Sequence, residues 1–244
     1  MNQVMASLLV RNGQVVKGKQ WNNWRVVGTL AQTCQLFAYR QIDSLAILCL
    51  DDAFDAVTVT NALKDVFLPV MAGGGNPKLD LFPFDAVVIK DPCEIRRAQE
   101  RLGKQSIVAA VNSASITTVE DALQAGAGQL LLQSKARDGM MHGYDLDFIR
   151  ACRNYMVPKI ASSGCADYED MHMALSEGAD HVCAGAMWLF TDRTPQEAKN
   201  YLSLKGWTVR HSQRSGFGPA SLAPTIRNGT PATTRNAGRS GVPS

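Results

Sequence analysis

The sequence predicts one parallel (βα)8 barrel of the TIM type over residues 1–210, followed by a low-complexity tail over 211–244. Three observations carry that expectation. Short apolar runs alternate with amphipathic helical patterns, which means βαβ crossovers and therefore a parallel sheet. Eight such strand–helix units can be traced, and eight is the number that closes a parallel barrel. The chain also repeats itself. Pro69-Val70-Met71-Ala72-Gly73-Gly74-Gly75 resembles Pro158-Lys159-Ile160-Ala161-Ser162-Ser163-Gly164, and Asp85-Ala86-Val87 echoes Asp180-His181-Val182 one strand later, as in two related half-barrels.

The first strand is expected over 7–10, and Asn12-Gly13 before Val15-Val16 signals a hairpin. Trp21 and Trp24 then fall in a polar loop after Lys17-Gly18-Lys19. Helix one carries Leu30, Cys34, Phe37 and Ala38, strand two covers 45–50 and ends in Asp51-Asp52, and helix two carries Val59, Ala62, Leu63 and Val66. Strand three, over 69–72, runs into Gly73-Gly74-Gly75. Only residues 76–84 separate it from strand four over 85–89, too few for an ordinary crossover helix, so this link should be tight. Ile95, Ala98 and Leu102 mark the next helix, 107–111 the fifth strand, and Val119, Ala122 and Leu123 the helix after it.

Leu130-Leu131-Leu132 form strand six, followed by a polar turn over 133–139. A helix opening at Tyr144-Asp145-Leu146 should bury Leu146, Ile149, Cys152 and Met156. Strand seven, over 159–162, is entered through Pro158, and Ser163-Gly164-Cys165 leads to a helix capped by Asp167 and ended by Gly178. Strand eight covers 182–185. Thr194-Pro195-Gln196-Glu197 opens the last helix with a capping box and a first-turn proline, and Gly206 closes it.

With 244 residues and 45% hydrophobic content the chain can bury a full core. A formal net charge of +3 is too small to point to nucleic acid, and no window is apolar enough to cross a membrane or to read as a secretory signal. The six cysteines, Cys34, Cys49, Cys93, Cys152, Cys165 and Cys183, sit singly without C-x-x-C spacing. Such a distribution marks free thiols of a reducing cytosol rather than disulfides or zinc ligands. His142 and His172 lack partners at metal spacing and read as surface side chains, so neither a metal nor another cofactor is expected. Residues 211–244 bury too little to order themselves and read as a disordered tail, or as the product of a shifted reading frame.

Ligands of a parallel barrel sit at the C-terminal ends of its strands, where Gly73-Gly74-Gly75, Asp138-Gly139, Ser162-Ser163-Gly164 and Gly185-Ala186 all fall. Glycine turns let backbone N–H groups approach an anion closely, and helix N-termini add partial positive charge. Two of these turns lie in each half, which suits an elongated ligand with a phosphate at either end. Taken one at a time, each glycine is better explained by a tight turn, and it is their joint placement that favours phosphate. Asp51, Asp52 and Asp91 also stand at strand ends, as acids for some reaction or as solvated loop carboxylates.

Several segments resemble one family. They are 11–18 (Arg-Asn-Gly-Gln-Val-Val-Lys-Gly), Ala72-Gly73-Gly74-Gly75, Gly126-Ala127-Gly128, Arg137-Asp138-Gly139 with Gly143-Tyr144-Asp145, Ile160-Ala161-Ser162, and the stretch from Tyr201-Leu202 to Val209-Arg210. Over nearly all of 7–210 the chain is similar to the cyclase subunit of imidazole glycerol phosphate synthase, a (βα)8 barrel of histidine biosynthesis. The resemblance implies a cytoplasmic protein that binds a bisphosphorylated ribulosyl aminoimidazole carboxamide. Such a protein closes the imidazole ring with ammonia delivered through the barrel by a glutaminase subunit docked at its bottom. The products are imidazole glycerol phosphate and aminoimidazole carboxamide ribotide.

The departures fall where the chemistry is. The family's two catalytic aspartates, general acid and base, correspond here to Leu9 and Asn112, neither of which transfers a proton near neutral pH. Lys17 is retained among the catalytic positions. Of the phosphate-binding positions Gly75, Asp138, Gly139, Gly164 and Gly185 remain. Lys90-Asp91 replaces an Asn-Thr, Ser163 a glycine and Ala186 a serine. The four charged residues that guard the ammonia entrance correspond to Gln3, Ser44, Ala86 and Gln129, which cannot form an ion-paired gate, and the family's long excursion after strand five is absent. Three functions stay open: impaired or altered cyclase chemistry on this or another sugar, a non-catalytic phosphosugar-binding or regulatory barrel, and a decaying gene product.

Overall fold

A computed structural model describes residues 1–52, 55–74, 79, 82–114 and 117–210. The expected tail, the turn residue Gly75 and most of the 76–84 link lie outside the described residues. Strand β1 (Val4–Arg11) leads into a hairpin of β2 (Gln14–Lys19) and β3 (Asn22–Thr29), then α1 (Leu30–Tyr39), β4 (Ser44–Cys49) and α2 (Ala56–Leu63). Next come β5 (Val70–Gly73), β6 (Ala86–Ile89), α3 (Pro92–Leu102), β7 (Ile107–Asn112), α4 (Thr117–Gln124) and β8 (Gln129–Gln133). The chain continues through α5 (Leu146–Cys152), β9 (Lys159–Ala161), α6 (Tyr168–Ser176), β10 (His181–Ala184), α7 (Ala186–Phe190) and α8 (Pro195–Leu204).

Eight of these strands close the expected parallel barrel in the order β1-β4-β5-β6-β7-β8-β9-β10, and β10 pairs back onto β1 with Met5 opposite Cys183. Closure works because alternate residues of every strand are apolar toward opposite faces. Met5, Met71, Leu131, Ile160 and Cys183 fill the lumen, while Leu8, Ile47, Leu130 and Val182 pack outward under the helices. The half-barrel repeat extends to individual hydrogen bonds. Asp85 accepts from the Val70 N–H at 2.7 Å and Asp180 from the Lys159 N–H at 2.8 Å, each carboxylate clamping the first residue of the preceding strand. A third clamp, Asp43 on the Val4 N–H at 2.8 Å, is completed by the Lys199 ammonium of α8, 2.6 Å from Asp43 with both side chains almost wholly buried. At the same end, Asn2 bridges Val209, which fastens both ends of the barrel segment together.

Four local expectations are corrected. Residues 14–29, expected to become a polar loop after Val16, form a full antiparallel hairpin on the upper half of β1, Leu9 opposite Val16, and Trp24 lies within β3. Helix α2 ends at Leu63, so Val66 is buried from the following turn rather than from the helix. Helix α5 likewise stops at Cys152, which leaves Met156 beyond its buried face and 98% exposed. A short helix, α7, intervenes between β10 and α8; its five residues are too few to show helical periodicity. Both expected capping boxes form, Asp167 with Asp170 and Thr194 with Glu197.

Candidate functional site

The mouth of the barrel lies at the C-terminal ends of its strands, and the hairpin β2–β3 folds over it. Trp21, in the tight turn between β2 and β3, lines two cavities at once. One, of about 580 Å³, stands over β4 to β6 and is walled by Leu9, Leu48, Trp24 and Leu79, with Lys90 and several carboxylates at its edge. The other, of about 800 Å³, lies toward β7 and β8 and is lined by Lys19, Asn22, Asn112 and Lys135. Volumes of this order suit small molecules. The missed element is therefore the hairpin, and the run Trp24-Arg25-Val26-Val27 was its available signal.

The two positions matched to the family's catalytic aspartates face different cavities. Leu9 belongs to the apolar wall of the first, 8% exposed. Asn112 ends β7 in the second, and its carboxamide oxygen accepts from the Ala114 N–H at 3.2 Å. No proton donor or base stands at either place. Asp51 and Asp91, two other acids of the mouth, are already occupied. Asp51 accepts from the Asn12 N–H at 2.8 Å and so pins the β1–β2 turn, and Asp91 caps α3 through the N–H groups of Cys93 and Glu94. Burial, with Asp51 and Asp55 adding to it, pushes the Cys49 thiol up to about 12, so it stays protonated at neutral pH.

Among the described residues, the retained positions gather at the opposite side, above β8, β9 and β10. Lys17, on β2, is 5% exposed and holds both carboxylate oxygens of Asp138, at 2.9 and 3.0 Å. Gly185 lies close by, since a Cβ there would stand 3.7 Å from the Lys17 ammonium. Gly139 (φ 72°) and Gly164 (φ 98°) have a structural reason as well. A Cβ on either would come within 2.2 Å of a carbonyl oxygen, that of Gly18 or of Gly143. Only glycine allows these turns to pack together. Among the described residues no acceptor takes the N–H of Gly139, Gly164 or Gly185. The cavity enclosed by these turns is about 10 Å³, room for about one water, so a larger anion would have to sit on its rim.

Lys90 does not join this group; its ammonium lies 5.1 Å from the centre of the Trp21 ring, on the other side of the mouth. His142 is exposed, and His172 accepts from the Trp207 indole N–H at 2.9 Å. No cluster of three or more potential metal ligands occurs among the described residues. At the bottom of the barrel, Ser44 donates to Gln3 at 3.0 Å, Gln129 reaches the Gln105 carbonyl at 3.5 Å, and Ala86 is apolar, so these four positions carry no charge. All six cysteines are free, and only Cys93 is exposed. None of the helices among the described residues is long and apolar enough to cross a membrane.

The fold and the mouth together define a two-fold repeated (βα)8 barrel with small-molecule cavities at the C-terminal ends of its strands. Residues 3–194 match the histidine biosynthesis protein family. The HisF subunit of imidazole glycerol phosphate synthase from Dehalococcoides mccartyi is 30% identical over 246 residues, covering 85% of this chain and 97% of that protein. Its counterpart in Chlorobaculum parvum is 28% identical over 85% of this chain and 98% of that protein. A Campylobacter jejuni protein provisionally named imidazole glycerol phosphate synthase subunit hisF2 is 27% identical over the same shares. The chain belongs to the histidine biosynthesis protein family, as a divergent relative of its HisF cyclase subunits.

Proposed function

We propose that this protein is a HisF-type barrel that holds a phosphorylated, sugar-type molecule in its mouth and has lost the cyclase's proton-transfer chemistry. The observation that carries this reading is the pair Leu9 and Asn112, an apolar side chain and a neutral amide where the cyclase needs an acid and a base. Binding is supported by the open N–H groups of Gly139, Gly164 and Gly185 beside the buried Lys17–Asp138 pair. Loops after the seventh and eighth barrel strands, with a short extra helix such as α7, are a recurrent place for phosphate in barrels of this class. The free thiols fit a cytoplasmic protein.

Calorimetric titration with a sugar phosphate tests the binding, at a salt concentration that screens non-specific attraction. The parent protein is expected to bind saturably. Ser163→Asp should abolish binding, because it places a carboxylate in the β9–α6 turn at a position whose φ of 74° an aspartate tolerates. Gly164→Asp should do so too, with a loss of stability from the 2.2 Å clash that Ser163→Asp avoids. No saturation by the parent, or unchanged binding by a folded Ser163→Asp, would mean that these turns serve packing alone.

A glutaminase partner remains compatible with the lower face. Met1, Tyr39, Phe67, Met156 and Leu204 are all exposed there, Phe67 at 94%, at the chain start, at the last residues of α1 and α8, or in the segments that lead into β5 and β9. With Gln3, Ser44, Ala86 and Gln129 uncharged, such a partner is expected to dock without channelling. Glutamine hydrolysis by the mixed pair should release its ammonia into bulk solvent, where an added ammonia-consuming enzyme captures it. Ammonia shielded from that trap would refute the expectation.

A further inference from the structure

We infer that the cavity over β4 to β6 takes a flat, uncharged ring of the bound molecule, rather than a second phosphate. The inference deepens the proposed binding function and rests on it. Trp21 and Trp24, both half-buried, face this cavity together with Leu9, Leu48 and Leu79, so its walls are aromatic and aliphatic. Its charged lining among the described residues is four carboxylates, Asp51, Asp52, Asp91 and Glu94, against the single ammonium of Lys90.

Those charges are held in place. Asp51 and Asp91 are fixed by backbone N–H groups, and Glu94 is bonded to Arg97 at 2.7 Å. The Lys90 ammonium lies over the Trp21 ring at 5.1 Å, where the ring's negative face attracts it. A phosphate carries about −1.5 to −2 charges at neutral pH and would sit among like charges here. A planar uncharged ring meets no such penalty, and it can pack against the tryptophans and leucines that line the cavity. The elongated ligand therefore carries its phosphate at one end, above β8 to β10, and its ring at the other, in the cavity that Trp21 and Trp24 line.

Three probes of equal chain length test this by calorimetry and tryptophan fluorescence: 5-phenylpentyl phosphate, pentane-1,5-diyl bisphosphate and 5-phenylpentan-1-ol. The phenyl-ended phosphate is expected to bind at least about tenfold more tightly than the bisphosphate, since burying an aromatic ring is worth at least that factor. Trp21→Ala should remove this preference and leave the affinity for inorganic phosphate unchanged, and Trp21→Phe should retain it. Thermal melts confirm that each variant is folded, and Trp24→Ala replaces Trp21→Ala should the latter fail to fold. Equal or tighter binding of the bisphosphate, or a preference that survives the tryptophan substitution, overturns the inference. Absence of binding by both phenyl compounds overturns it as well. If the phenyl alcohol and its phosphate bind alike through the tryptophan, the ring site stands and the phosphate reading falls.

Discussion

Given ammonium salt and the bisphosphorylated ribulosyl aminoimidazole carboxamide of the cyclase family, the purified protein is expected to form imidazole glycerol phosphate at least about 10³-fold more slowly than a relative with both aspartates. One positioned acid or base commonly contributes about 10²–10⁴-fold, and both are missing. Most other polar groups of the mouth are already engaged. Leu9 lies in an apolar wall, the Asn112 carboxamide is spent on the Ala114 N–H, and the Asp51 and Asp91 carboxylates hold a turn and a helix end. The Cys49 thiol, raised to about 12, supplies no thiolate at neutral pH. Leu9→Asp combined with Asn112→Asp should raise whatever rate remains. The gain should be partial, because a carboxylate among Leu48, Trp24 and Leu79 is held toward its protonated form by desolvation. Turnover close to that of the relative by the unmodified protein would refute the reading.

Replacing Lys199 by methionine is expected to cost about 3–5 kcal/mol of stability, the usual penalty for stranding one member of a buried ion pair. The Lys199 ammonium lies 2.6 Å from both Asp43 and the Gln41 carbonyl, and Asp43 also clamps the Val4 N–H at the start of β1. The pair thus ties α8, the last helix of the barrel, to its first strand. At about 2–4 °C per kcal/mol for a domain of this size, the melting temperature should fall by roughly 6–20 °C. The double variant Lys199→Met with Asp43→Asn should recover much of that loss, since the amide keeps an acceptor for Val4 and leaves no buried charge. A single variant that melts within a degree or two of the parent would show that closure does not depend on this pair.

Much of this molecule could be read in order along the chain because its signals are local. Each barrel strand is a short apolar run buried on both faces, and Asp167 and Thr194 announce their helices through bonds to residues three positions on. The repeat at Pro69 and Pro158 is likewise visible in the sequence, as is the echo of Asp85 in Asp180, whereas the strand-clamping role of these two carboxylates belongs to the structure. Leu9 and Asn112 are also read directly from the sequence, at the positions where the resemblance places the family's aspartates.

What tertiary structure decided is what depends on residues far apart in sequence. The hairpin over 14–29 was half hidden, because Val16 and Trp24 become strand only by pairing with each other and with Leu9, and a strand's stability lies in its neighbours. Its fold puts Trp21 between two cavities and sets Lys90 against an indole rather than beside the second-half turns. The Lys17–Asp138 pair joins positions 121 residues apart, and the carbonyls that make Gly139 and Gly164 obligatory come from Gly18 in β2 and from Gly143 ahead of α5. Sequence alone determined the barrel and its repeat, since these follow from periodicity. Which charges neutralise one another, and which walls share a cavity, followed only from chain closure, which brings distant residues within a few ångströms.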